Sequence, residues 1–305
     1  MTTTTTLVTQ GARPPGQARA RRRVEPIYYW FLIPTLILFT LAITVPAVIG
    51  IFFSFTNSIG LGEWKFIGLT NYLSLFSDPL VVQSYLFTFG FSLVTVVLVN
   101  IIALLLAVAL TSRIRLKTPL RTIFVIPMVV SAIVISFVFK FLFSNSLPAF
   151  GTISGIAWLQ ESILANPDWA WVAIVIVTAW QAIPGALLIY IAGILSIPGE
   201  VYEAADIDGA SKTQQLLRIT VPLMLGYIVI NVILGFKGFL NAYDVIKGLT
   251  GGGPGTSTYS IAMTVVSGLT TGDYAYQMAN ATVFFVITVL IAIVQLSITR
   301  GRNAL

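Results

Sequence analysis

Six stretches of the chain are apolar almost without interruption, at residues 28–55, 84–110, 120–143, 169–195, 223–245 and 279–299. Each reaches the roughly 20 residues a helix needs to cross the hydrocarbon core of a bilayer. The pattern therefore predicts an all-α integral membrane protein with six transmembrane helices. Two kinds of connection alternate between the stretches. Residues 56–83, 144–168 and 246–278 are polar or aromatic with few basic groups, while 111–119, 196–222 and the tail after Thr299 form the other set.

Ahead of the first stretch, residues 1–26 run from Thr2 through Thr6 to Arg21-Arg22-Arg23 with no apolar period. Low complexity of this kind reads as a disordered basic tail. The apolar run from Ile27 to Phe55 is too long for the core of a signal peptide, about 7–15 residues, and lacks a small-residue cleavage site. It reads as an uncleaved first span, starting near Tyr28.

Composition strengthens the membrane reading: 57% of residues are hydrophobic, only 9% are charged, and the mean hydropathy is +0.93. Soluble chains carry about 25% charged residues. The net charge of +6 has a topological rather than a nucleic-acid reading, because the basic groups sit beside the ends of apolar stretches. Arg13, Arg19, Arg21, Arg22, Arg23, Arg113, Arg115, Lys117, Arg121, Lys212, Arg218, Arg300 and Arg302 fall on one set of connections. Lys65, Lys140, Lys237 and Lys247 fall on the other or within spans. Positive residues remain in the cytoplasm, so both termini are expected there. Trp64, Trp158, Trp169 and Trp171 then suit an interfacial aromatic belt on the other side.

There is no cysteine and no histidine, which excludes disulfides, thiolate chemistry and the usual zinc sites. No catalytic residue and no metal site is expected, and acid–base chemistry would rest on a few carboxylates.

The connection Ser196–Pro222 is long for a bundle, where 2–8 residues suffice, and it carries its own punctuation. Ser196 is placed to cap a first helix, with Pro198 in its opening turn and Glu200 and Glu203 near its positive end. Gly209 supplies a left-handed stop. Ser211 and Gln214 have the spacing of a capping box for a second helix, and Pro222 opens the fifth span. Small Ala204, Ala205, Gly209 and Ala210 allow another backbone to approach, and Glu200, Glu203, Asp206 and Asp208 offer carboxylates to basic groups. A lipid-surface helix would instead be rich in Lys and Arg.

Glu203-Ala204-Ala205, then three residues, Gly209, nine residues and Ile219-Thr220-Val221-Pro222 resembles the EAA-x3-G-x9-I-x-L-P motif of binding-protein-dependent ABC transporter permeases. Val221 stands where that motif has Leu. The resemblance implies the type I ABC importer permease fold, with the 196–222 loop as the coupling helix seated on an ATP-binding cassette subunit. Glu203, Ala204, Ala205, Asp208, Gly209, Ile219 and Pro222 would then form the ATPase-coupling set. Phe66-Ile67-Gly68-Leu69-Thr70-Asn71-Tyr72, Ala242-Tyr243-Asp244-Val245-Ile246 and Leu249-Thr250-Gly251-Gly252-Gly253-Pro254 are similar to signatures of the carbohydrate-uptake branch, of the maltose and glycerol-phosphate types. That branch implies four kinds of partner: a second homologous permease, an ATPase dimer, an extracytoplasmic solute-binding protein and membrane lipid, with no nucleic acid. It also implies a bacterial or archaeal cytoplasmic membrane, and a sugar, preferably an oligosaccharide, as cargo.

Gly251-Gly252-Gly253-Pro254 lacks the Lys-Ser/Thr of a phosphate-binding loop, so ATP and Mg belong to a partner and this chain is expected to hold no cofactor and to be no enzyme. The Gly-rich run reads as a turn near the binding-protein contact. Polar residues in spans are functional candidates, and Asn241, Tyr243, Asp244, Gln181 and Asn280 form the candidate substrate path. For Gln181 and Asn280, hydrogen bonding between helices is the competing role. Lys237 and Asp244 are seven residues apart and on one face if helical, so they either pair, snorkel or serve the path. Lys237 keeps a glycerol-3-phosphate importer open as the alternative. A secondary transporter independent of any ATPase would leave the 196–222 loop without a task.

Overall fold

The computed structural model describes residues 27–112 and 117–302. The basic tail expected at 1–26 and the arginines Arg113 and Arg115 lie outside the described residues, as do the side chains of Lys117, Arg300 and Arg302. The chain divides into two compact units, 1–49 and 50–305. Helix α1 (Ile27–Phe39) contains Pro34 and passes through a π turn at Thr40–Thr44 into α2 (Val45–Phe53), within which the boundary falls.

The second unit is mainly helical, with one isolated bridge, Thr56–Phe66. Its elements in order are α3 (Thr70–Ser77), α4 (Pro79–Thr111), α5 (Lys117–Val129), α6 (Ala132–Phe141), α7 (Leu147–Ser154), α8 (Ala170–Leu195), α9 (Gly199–Ile207), α10 (Lys212–Gln215), α11 (Val221–Leu223), α12 (Leu225–Leu240), α13 (Asp244–Leu249), α14 (Ile261–Thr271) and α15 (Tyr274–Arg302). Five helical stretches are long and apolar enough to cross a membrane, and a sixth if the bent pair Lys212–Leu223 and Leu225–Leu240 is one span.

The long helices α4 and α8 form the centre. Asp78 starts α4 by accepting from the N–H groups of Leu80 and Val81, with Pro79 in the first turn. Ala103 and Ala107 on α4 and Ala170, Ala173 and Ala179 on α8 are buried. Small residues let helices approach closely where lipid offers no hydrophobic drive for association. Around them pack Phe91, Val96, Ile174, Val177, Phe239, Ile246 and Leu249 as one cluster, and Leu110, Leu187, Tyr190, Ile191 and Met224 as another. Polar ties join α8 to α4 and to α12. Tyr190 donates its hydroxyl to Asn100 Oδ1, and Asn231 donates to the Ala186 carbonyl at 3.2 Å.

Three places depart from the sequence reading. The stretch 120–143 is not one helix, because the chain breaks at Val130–Ser131, where Ser131 takes ψ 137°. Pro127 lies just before the break inside α5 and weakens the local ladder by removing a donor. Residues 246–278, expected as a polar connection, carry most of α13 and all of α14, whose Ile246, Leu249, Ile261 and Met263 are at 2% exposure or less. Pro222 does not open the fifth span; it sits in the three-residue α11, and the chain bends by 68° before α12.

Candidate functional site

The loop between α8 and α12 is folded by its own side chains. Ser196 does not cap α9. It ends α8 and donates its hydroxyl to the Gly193 carbonyl at 2.7 Å, while Pro198 occupies the cap position of α9. Proline fits there because the first N–H groups of a helix have no intrahelical partner to lose. Gly209 adopts φ +72°, a conformation that only glycine enters cheaply. Ser211 then accepts from the Gln214 N–H, and the Gln214 side chain accepts in return from the Ser211 N–H, closing a capping box on α10.

Two groups of contacts tie α9 to α10 and to the turn that leads into α11. Asp206 Oδ1 accepts from Lys212 Nζ at 2.8 Å and from Gln215 Nε2 at 2.5 Å. Gln215, only 4% exposed, also donates to the Ala210 carbonyl at 3.1 Å and accepts from Lys212 Nζ at 3.1 Å. Nearer the spans, the Tyr202 and Thr220 hydroxyls lie 2.9 Å apart. The hydrogen bonds from Lys212 and then Gln215 hold the Asp206 carboxyl below its ordinary value.

Glu203, Ala204, Asp208, Gly209 and Pro222 are exposed, Ile219 is half-buried and Ala205 is buried. Ile207 on the same helix is 87% exposed. From sequence alone Asp206 is one more surface acid, and Ile207 goes unmarked. The (i, i+6) spacing of Asp206 and Lys212 across a glycine stop is the available signal for their pairing.

The second candidate group, the substrate path, draws on α8, α15 and the junction of α12 and α13. Asn241 ends α12, is exposed, and donates its amide to the Lys237 carbonyl at 2.9 Å. Tyr243 is half-buried against the central cluster, and Asp244 is exposed in the first turn of α13. Lys237 and Asp244 form no ion pair, since α12 stops at Leu240 and the helical spacing between them is lost. Gln181 on α8 donates to the Val130 carbonyl at 3.0 Å, which the break between α5 and α6 would otherwise leave in need of a donor. Asn280 is fully buried and is bound to Tyr85 at 3.1 Å and to Gln277 at 3.2 Å. Gln181 and Asn280 thus both join helices.

The Gly-rich run forms a turn, with a cis Gly253–Pro254 bond. Thr258 donates to the Gly253 carbonyl at 2.7 Å and meets Thr250 at 2.8 Å. Thr256 reaches Gln83 of α4 at 3.0 Å. The signature at residues 66–72 is also used internally: Asn71 donates to the carbonyls of Ser54 and Thr56, both at 2.8 Å, and Tyr72 meets Ser54 at 2.6 Å.

Comparison with known proteins adds independent findings. The family model described as "Binding-protein-dependent transport system inner membrane component" matches residues 99–302. The multiple sugar-binding transport system permease protein MsmF of Streptococcus mutans is 34% identical, covering 89% of this chain and 96% of its own. The probable starch degradation products transport system permease protein AmyD of Thermoanaerobacterium thermosulfurigenes is 31% identical, covering 91% and 95%. Among solved structures, a bacterial ABC transporter involved in the import of the acidic polysaccharide alginate superposes with a TM-score of 0.79 over 90% of this chain and 95% of that one, at 20% identity.

Proposed function

This chain belongs to the family of binding-protein-dependent transport system inner membrane components, and from that premise we propose that it is the permease subunit of an ATP-driven importer moving an oligosaccharide. Relatives named for sugar transport across nearly the whole chain support the cargo. Delivery by an extracytoplasmic binding protein is supported by the solved alginate transporter in complex with an alginate pentasaccharide-bound periplasmic protein, which superposes at a TM-score of 0.77. A second homologous permease and an ATPase dimer complete the assembly, and ATP with Mg resides on the ATPase. Both termini face the cytoplasm, together with the 199–220 loop.

The observation that carries this reading is the folded loop at 199–220. Asp206, Lys212 and Gln215 bond to one another, while the Glu203 and Asp208 side chains make no hydrogen bond among the described residues and Ile207 is bare. A rigid pair of short helices with free carboxylates and one apolar side chain suits a cleft lined by basic groups on a partner. Displacement of that pair is then passed to the spans, as alternating access requires of a two-state element. Asn241, Tyr243 and Asp244 stand together at the junction of α12 and α13, and an amide beside an aromatic face suits a sugar.

The glycerol-3-phosphate reading has one observation in its favour. UgpA of Brucella abortus is 30% identical over 245 residues, and Lys237 is an exposed cation without an ion pair among the described residues. Binding of maltodextrins against glycerol 3-phosphate by the cognate binding protein separates the two cargoes. For the loop, co-purification of the ATPase with the full chain is the measurement. Retention by the unaltered chain and loss with Glu203→Lys or Gly209→Trp is expected, and normal retention by both variants would overturn the seat.

A further inference from the structure

The loop carries four carboxylates, and the structure does not treat them alike. Glu200, Glu203 and Asp208 have no ion pair or side-chain hydrogen bond among the described residues, whereas Asp206 is bonded to Lys212 and Gln215 across the turn. The family pattern assigns no role to position 206. We infer that Asp206 is a positioning residue for coupling, bracing α9 against α10 so that the two helices move as one piece while Glu203 and Asp208 remain free for the ATPase. The inference rests on the reading of this loop as the ATPase seat.

Neither helix is able to hold itself. The nine residues of α9 fall below the ~12–15 residues under which isolated helices are marginal in water, and the run Lys212–Leu223 that α10 opens only just reaches that length. The chain between them passes through Gly209 at φ +72°, with no atom within 4 Å of the place a Cβ would take. Packing does not fix the angle at that point, so cross-turn bonds must fix it.

An exposed ion pair alone contributes little, and Lys212 and Asp206 side chains are 79% and 54% exposed. The buried Gln215 changes that balance. Its amide donates to Asp206 and to the Ala210 carbonyl while accepting from Lys212. Removing Asp206 takes away a charge-assisted acceptor from a buried donor, the case in which a lost hydrogen bond is felt most. At the other end the Tyr202–Thr220 contact ties α9 to the turn that leads into α11, and the Thr220 carbonyl accepts from the Met224 N–H at 2.9 Å. The brace and this tie bracket α9 at both ends.

The absence of cysteine allows a direct test. Nitroxide labels at Val201→Cys and Thr213→Cys, both exposed, report the distance between α9 and α10 in the full chain assembled with its ATPase in nanodiscs. A single narrow distance is expected, with its loss on Asp206→Ala while the ATPase still co-purifies. Stimulation of ATP hydrolysis by the binding protein should be lost in the same variant and basal hydrolysis kept. The paired exchange Asp206→Lys with Lys212→Asp should restore both the narrow distance and the stimulation, because the Gln215 amide serves the reversed pair by turning over. A distance that stays narrow in D206A overturns the brace, and so does an exchange that restores neither readout. Loss of ATPase binding in D206A with the distance unchanged makes Asp206 a docking group and also overturns it. If the unaltered chain retains no ATPase, it is the seat reading that fails, a result distinct from any of these.

Discussion

In the loop Gly199–Thr220, the side chains that bond are those that close the turn, and Glu203, Asp208 and Ile207 are left outward and unengaged. In the segment Asn241–Ser260 the order is reversed: Thr250, Thr258 and Ser260 bond inward, Val245, Ile246 and Leu249 are buried, and Gly248 and Gly252 are pressed by neighbours. A partner can grip the first region without costing it any internal bond. The second is built like a core, so its polar side chains are mostly committed before any cargo arrives.

Two glycines give the sharpest way to break this contrast. A Cβ on Gly248 would stand 2.4 Å from the Ser136 Cβ; overpacking of that kind costs ~3 kcal/mol. Gly248→Leu is therefore expected to lower the melting temperature of the purified chain strongly, as read by fluorescence-detected size exclusion. Gly209 has open space around it and fails only on backbone conformation, so Gly209→Val costs about 1–2 kcal/mol locally. It should leave that melting temperature nearly unchanged and yet abolish ATPase co-purification. If the two variants behave alike, the contrast between the regions is wrong.

Smaller effects sharpen it further. Asn280→Ala removes a buried tie between α4 and α15; interhelical bonds in bilayers average ~0.6 kcal/mol and reach ~1.7. A modest loss of thermal stability with cargo affinity of the transporter unchanged is expected, whereas a changed affinity with stability intact would make Asn280 a working part of the path. Smallest is the response of the brace to pH. Because the Asp206 carboxyl is held low by Lys212 and then Gln215, its contribution is full above the ordinary carboxylate value of about 4. It fades as pH falls through the lower folded value. The α9–α10 distance should thus stay narrow from neutral pH to about 4 and broaden only below that. Broadening nearer neutrality would point to another group.

Legibility from sequence follows the same divide. The Gly209 stop and the Ser211/Gln214 box are readable because capping is local chemistry at fixed spacing. Ser196 misleads because a serine at the junction of two helices can serve either, and here the carbonyls ending α8 claim its hydroxyl. The break at Val130–Ser131 is hidden by an apolar run that continues through it. What stabilises the break is Gln181, far away in the chain. Burial of α13 and α14 is likewise invisible, since their short lengths look like a connection and their glycine and serine neighbours matter only once α6 is in place. Of the five proposed path residues, Gln181 and Asn280 stand out in sequence for the cost of burying amides, and that cost is met by other helices.

The 68° bend at Met224 gives the bent pair the shape of a crank with two unequal arms. Met224 is fully buried, and its sulfur would stand 2.7 Å from a Cβ at Gly193, so the corner is pinned against α8. Tyr227 adds a hydroxyl contact to Ser196 at 3.2 Å. A rod fixed at its corner turns about it, and the travel of each end scales with the length of its arm. At 1.5 Å per residue the arm Lys212–Leu223 spans ~18 Å and the arm Leu225–Leu240 ~24 Å. Were the pair to turn about that corner as one piece, each ångström pushed sideways at Lys212 would move Leu240, beside Asn241, by about 1.3 Å.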